Sequence, residues 1–199
     1  MKILAFTGSM RAASLNRRLL LVACDRLKER GADVTEIELR NLDIPMFGLD
    51  LESDIKAGKT PMPSGIKILR ELMVASDAFV IASPEHNGAM TAALKNAIDW
   101  ASRYVDDTGP LACFRGKVCG LLSASPGRLG GIRGLPDVRR VLSSIGTLVV
   151  PADFALHAAH DALGGESEDD GSRDEQAIKG AHRVADAVYD VTQALLAAR

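Results

Sequence analysis

Five short apolar runs, each separated from the next by a stretch of helical periodicity or a turn, constrain this chain more than any other feature. Lys2–Thr7 opens it with Ile3, Leu4, Ala5 and Phe6 in unbroken succession, the mark of a strand covered on both faces. Leu15, Leu19, Val22, Ala23 and Leu27 then recur at helical spacing up to Gly31, a residue suited to ending a helix. A second strand is expected over Asp33–Leu39, a third over Asp77–Ser83, a fourth over Lys117–Ser125 and a fifth over Thr147–Val150. Helices are expected from Ser64 as N-cap over Ile66, Leu69, Leu72 and Met73, over Ala92–Arg103, over Asp137–Ile145, and at the end along Ile178, Ala181, Ala185, Val188, Thr192 and Leu195. Leu42–Gly65, with three prolines and three glycines, reads as one long irregular connection, a kind of loop that is often functional. Strands alternating with helices predict an α/β domain whose parallel sheet is covered on both faces. Ligands of such sheets sit beyond the carboxyl ends of the strands, which directs attention to the loops after strands one, three and four.

The remaining bulk properties mainly exclude. A length of 199 residues suits one compact domain spanning 1–199. A net charge of −2 provides no basic field for nucleic acid or anionic lipid. No apolar run approaches a membrane span, and the opening run leads straight into a turn instead of a signal-peptide cleavage site. Cys24, Cys113 and Cys119 lack CxxC spacing and read as reduced, buried thiols of a cytoplasmic protein. The acidic insert Gly164–Glu175 reads as a solvated, mobile loop.

The first loop, GSMRAASLN from Gly8, lies where a helix start presents unpaired N–H groups and a positive dipole end. Ser9, Ser14 and Asn16 add donors, and Arg11 or Arg17 adds charge. The loop lacks the GKS/T ending of a Walker A motif and the GxGxxG of a dinucleotide fingerprint. A serine-capped helix with solvated arginines accounts for the same residues. The second loop, SPEHNGAMTAALKNAIDW from Ser83, places Pro84, Asn87 and Gly88 in a turn with Glu85 and His86 beside it. That suits a flat ligand with polar edges, or merely a loop histidine making one local bond. Ala93, Leu94, Ala97 and Trp100 read as helix packing. The third loop, SASPGRLGGIRG over Ser123–Gly134, offers either close backbone approach to a ligand or a flexible connector.

Together, GSMRAASLNRRL, LDIPMFGLD, SPEHNGAMTAALKNAIDWASR and SPGRLGGIRG resemble the NAD(P)H-dependent FMN reductases, flavodoxin-like proteins that include chromate, azo-dye and quinone reductases. The resemblance implies a flavodoxin-like doubly wound sheet of five strands in the order 2-1-3-4-5, with FMN as cofactor and NADPH or NADH as cosubstrate. It implies that Ser9, Arg11, Ser14, Leu15 and Asn16 hold the FMN phosphate. Pro84, Glu85, His86, Asn87 and Gly88 would border the isoalloxazine ring, and Ser123 with Gly127 and Gly130 of the following loop would close its other side. It further implies hydride transfer to flavin N5, then to a small-molecule acceptor in ping-pong order, with no catalytic side chain and no metal. A homodimer or homotetramer is expected, with neither nucleic acid nor membrane as partner.

This chain departs from the family pattern in three places. His86 stands where tyrosine is common, Ala89 where serine is common, and Thr91-Ala92 where a Pro-Gly pair is common. Among other readings, a flavodoxin-type electron carrier or a redox-sensing oligomer would share the fold. A phospho-receiver would need acids where Phe6 and Thr7 stand, and a metal site on His157, His160 and Asp161 lacks an evident further ligand.

Overall fold

The computed structural model describes residues 1–103, 108–109, 111–164 and 174–198. Most of the acidic insert, residues 165–173, lies outside the described residues. In chain order the elements are β1 (Lys2–Thr7), α1 (Leu15–Glu29), β2 (Asp33–Glu38), α2 (Leu49–Lys56), α3 (Ser64–Ala75), β3 (Ala78–Ala82), β4 (Glu85–His86), β5 (Ala89–Met90), α4 (Ala92–Ser102), β6 (Val118–Ala124), α5 (Gly134–Ser144), β7 (Leu148–Leu156), α6 (Ala159–Ala162) and α7 (Glu175–Ala197). The main sheet runs β2-β1-β3-β6-β7, every pairing parallel. Counting only its own strands, that is the expected order 2-1-3-4-5.

Side-chain alternation sorts the core into two layers. Ile3 and Ala5 of β1, Ala78, Val80 and Ala82 of β3, and Val118 and Leu122 of β6 pack with the apolar faces of α1 and α7. Leu4, Phe6, Phe79, Ile81, Cys119 and Leu121 point to the opposite face, with residues of α3, α4 and α5. Gly120 falls on the α7 face in phase with Val118 and Leu122 and leaves room there for α7. A Cβ there would lie 2.6 Å from Val188 Cγ2 and 2.7 Å from Val184 Cγ1.

Four sequence expectations change. The fifth strand does not stop at Val150 but continues to Leu156. Its register against β6 shifts between Cys119 and Leu121, and this irregularity on an edge strand admits Pro151, which has no N–H to donate. The connection Leu42–Gly65 is not wholly irregular, since it contains α2. Ser64 is not the cap of α3: Pro63 holds that position, without a side-chain bond. Finally, the turn after β3 is a two-stranded hairpin, β4–β5, closed by Asn87 and Gly88 at φ 54° and 82°, the positive-φ pair that a tight hairpin turn requires.

The connection containing α2 is fastened to α4. Asn96 accepts from Phe47 N at 2.7 Å and donates to Pro45 O at 3.0 Å, and Trp100 Nε1 donates to the same carbonyl at 2.8 Å. Buried Glu52 takes Arg103 Nε at 3.0 Å and Lys56 Nζ at 2.7 Å. Two further cations close helix ends on this side of the sheet. Arg70 Nη1 donates to Ala101 O and Arg103 O, each at 2.7 Å, at the end of α4. Lys117 Nζ donates to the carbonyls of Met73 and Val74 at 2.6 and 2.8 Å at the end of α3. Both place positive charge where a helix leaves carbonyls unpaired.

Candidate functional site

At the carboxyl ends of β1, β3 and β6 lies a cleft of about 420 Å³, within the range that holds a cofactor-sized molecule. Its first wall is the turn between β1 and α1. Ser9 N donates to Thr7 Oγ1 at 3.1 Å, and Ser9 Oγ accepts from Arg11 N at 3.3 Å, so short side chains fold the turn on itself. Ser14, in extended backbone, caps α1 by accepting from Arg17 N at 3.2 Å, and its hydroxyl hydrogen remains for a ligand. Leu15 and Asn16 begin the helix, where backbone N–H groups have no intrahelical acceptor. The first turn of α1 contains no acidic residue, so its dipole end is left uncompensated for an anion.

The three arginines of this segment divide. Arg17 Nε is engaged by Glu36 at 3.0 Å and Glu38 at 3.5 Å, and Arg18 Nη1 donates to Gly164 O at 2.6 Å. Arg11 is exposed on the cleft lining. Asn16 also has a task of its own. Its Nδ2 donates to Ala124 O at 2.8 Å and its Oδ1 accepts from Ala124 N at 3.0 Å, which ties α1 to the end of β6. What Asn16 offers the cleft is therefore backbone, not side-chain amide. Gly8 is required by packing: its carbonyl accepts from Thr91 Oγ1 at 2.7 Å, and a Cβ would sit 2.9 Å from Leu94 Cβ.

The second wall is Pro84, Glu85 and His86 with Thr91, Ala92 and Ala93 at the start of α4, and the third is Ala124, Ser125 and Pro126. Glu85 turns its carboxylate towards α5, accepting from Arg133 N at 3.1 Å and Arg133 Nε at 2.7 Å. The Arg133 guanidinium holds the Glu85 carboxyl below the usual carboxylate range. Asp137 is lowered likewise, by Arg140 first and then by the Met90 N–H.

Of the residues singled out in the sequence, Ser9, Arg11, Ser14, Leu15, Asn16, Pro84, Glu85 and His86 line this cleft. Asn87 and Gly127 line a neighbouring depression, with Arg128 and Arg133, that shares Glu85 and Ser125 with the cleft. Gly88 is at the hairpin tip. Ser123 is fully buried, its Oγ without a hydrogen-bond partner, and a Cβ on Gly131 would lie 2.0 Å from it. Gly130 is buried against the Leu156–His157 backbone. Gly8, Met10, Ala124, Ser125 and Pro126 lie in the loops the sequence pointed to without being singled out, and Thr91, Ala92 and Ala93 were missed as lining residues. Two signals were present: Thr91 precedes a helical apolar pattern as a cap would, and Ser125-Pro126 directly follows a strand end. The remaining polar chemistry lies elsewhere. Burial pushes the Cys24 thiol up to about 12 and raises that of Cys119, so neither is a nucleophilic thiolate. Among the described residues no group of three His, Cys, Asp or Glu is placed to hold a metal.

Residues 1–161 match the family profile described as NADPH-dependent FMN reductase. The chain belongs to this family. The family is one of oxidoreductases working with FMN and a reduced nicotinamide. An NAD(P)H-dependent FMN reductase of Pseudomonas aeruginosa is 34% identical over 145 residues, covering 71% of this chain and 69% of the relative. An NAD(P)H:quinone oxidoreductase of Solanum tuberosum is 34% identical over 140 residues, covering 70% and 66%. The matched stretch thus spans about two thirds of these relatives' length. Among solved structures, FerB, a flavoenzyme NAD(P)H:(acceptor) oxidoreductase from Paracoccus denitrificans, superposes with a TM-score of 0.73 at 25% identity, covering 97% of each chain.

The residues present fit FMN. An anion-ready helix start free of acids adjoins the cleft, Gly8 lets that turn pack closely on Thr91 and Leu94 at the start of α4, and among the described residues the one carboxylate on the lining is neutralised by Arg133.

Proposed function

We propose that this chain is an NAD(P)H-dependent FMN reductase acting on small molecules, with 1–199 as one FMN-binding domain. The observation that carries the reading is the acid-free, serine-capped start of α1 opening into the cleft at the sheet's carboxyl edge. FMN, when held here, would supply the redox chemistry of a ping-pong reaction with NADPH or NADH as hydride donor and a quinone, chromate, azo compound or free flavin as acceptor.

The chain's residues bind and orient. The N–H groups of Leu15 and Asn16, the hydroxyls of Ser9 and Ser14, and Arg11 hold the phosphate. Pro84, Glu85, His86, Asn87 and Gly88 form the ring-side wall, where fixed backbone dipoles stabilise negative charge without rearranging. Ser123, Gly127 and Gly130 shape the segment opposite, Ser123 and Gly130 from beneath. No side chain acts as nucleophile, proton donor or metal ligand in this reading. Self-association as a homodimer or homotetramer and a cytoplasmic setting belong to it as well. Independence from membranes is part of the same reading.

The test is optical. Purified protein supplied with FMN is expected to be yellow, to bleach under anaerobic NADPH, and to recolour repeatedly when a quinone is added. A protein that binds FMN yet oxidises no NADPH at steady state would instead be an electron carrier or a flavin sensor.

A further inference from the structure

The hairpin β4–β5 is short, and a two-stranded ribbon of this size has little stability of its own. What holds it is its cross-strand pair, Glu85 opposite Met90, because both members are fastened to the same end of α5. Glu85 takes Arg133 N at 3.1 Å and Arg133 Nε at 2.7 Å, with Arg133 Nη2 against the same carboxylate. Met90 N donates to Asp137 Oδ2 at 3.2 Å, and Asp137 is itself fixed by Arg140 Nη2 at 2.8 Å. The Glu85 side chain is only 9% exposed, whereas that of Arg133 is 61% exposed, so the guanidinium lies over the carboxylate as a cover. The backbone beneath is close-packed: a Cβ on Gly131 or Gly134 would come within 3.5 Å of Glu85 Cβ, and one on Gly134 within 3.2 Å of Ala89 O. Glu85 is shared by the cleft and the neighbouring depression, so whatever moves this contact moves both walls.

We infer that Glu85 and Arg133 form a positioning pair, tying the ring-side hairpin to the glycine-rich segment ahead of α5 and thereby setting how the nicotinamide approaches, while taking no part in the grip on phosphate. This rests on the reductase reading for its kinetic consequence, but the tie itself belongs to the unliganded protein. Glu85 is then a positioning residue whose charge serves Arg133, and the hairpin carries His86 and Asn87 into place only while that pair is intact.

The test uses Glu85→Ala, Arg133→Ala and the double variant of the full chain. In unliganded protein, amide exchange over residues 85–90 is expected to quicken about tenfold in each single variant. The double variant should be no faster, since contacting partners are non-additive. With FMN bound, reduction at saturating NADPH should slow by about tenfold or more, as misplaced reactants lose rate, while the ratio of FMN to riboflavin affinity stays at the wild-type value. Glu85→Gln, which keeps an acceptor for Arg133, should recover part of both effects and covers the case of a poorly folding alanine variant. Unchanged hairpin exchange, or single effects that multiply in the double variant, would overturn the pair. Faster exchange with an unaltered reduction rate would overturn its positioning role and leave only a structural tie. If wild-type protein took up no FMN, the reductase reading would fall, and amide exchange alone would decide whether the tie exists.

Discussion

Replacing Arg11 and Ser14 together by alanine is expected to weaken FMN binding by at least about 100-fold while barely changing riboflavin binding. A charge-assisted hydrogen bond contributes about 1.5–3 kcal/mol and a neutral one about 1 kcal/mol, and each 1.4 kcal/mol is tenfold in affinity. Arg11 is exposed and, unlike Arg17, is not engaged by β2 carboxylates, so its loss should hardly disturb folding. Ser14 does cap α1 through Arg17 N, and losing a cap costs about 1 kcal/mol. The melting temperature should therefore fall by a few degrees at most, a loss far smaller than that in FMN affinity. Fluorescence titration with the two flavins, beside a thermal scan, separates the effects. Equal losses for FMN and riboflavin would mean that the turn shapes the cleft without holding phosphate.

The largest loss of stability is expected from Arg70→Met. Arg70 is 2% exposed, and its guanidinium donates at 2.7 Å to the carbonyls of Ala101 and Arg103 and at 3.0 Å to Thr108 Oγ1. Methionine fills similar space but has no donor, so the carbonyls ending α4, that of Ala101 buried and that of Arg103 half-buried, lose their partner at roughly 1–3 kcal/mol each. The cost of about 3 kcal/mol or more corresponds, at this chain length, to a fall of about 10 °C in melting temperature. Because α4 also carries Thr91 at its start and anchors the α2 connection through Asn96 and Trp100, the loss should extend to flavin affinity near the midpoint. A melting temperature within a degree or so of wild type would show that these carbonyls find other donors.

The sheet was legible because its central strands are buried on both faces, and runs such as Ala78–Ala82 admit no amphipathic alternative. What was hidden lay where local signals compete. Leu49–Lys56 forms α2 behind a glycine cap without a side-chain bond, between prolines that suggest a loop. Its anchor is Glu52, whose partner Arg103 lies 51 residues away, beyond any periodicity. Pro151 reads as a strand end, yet an edge position with a register shift tolerates it. In the site, the turn after β1 was legible as a serine-capped helix start behind a strand. The division of labour among its arginines was not, because it depends on Glu36 and Glu38 across the sheet edge. Asn16 and Ser123 show the same limit: residue type marked the first as a donor and the family resemblance marked the second, but only the packing shows that one ties α1 to β6 and the other is sealed beneath Gly131.

Titrating the wild-type protein with FMN and with riboflavin tests directly whether the start of α1 holds a phosphate. The predicted result is FMN binding tighter by about 100-fold or more, from a charge-assisted contact added to helix N–H groups. Indistinguishable affinities for the two flavins would contradict it.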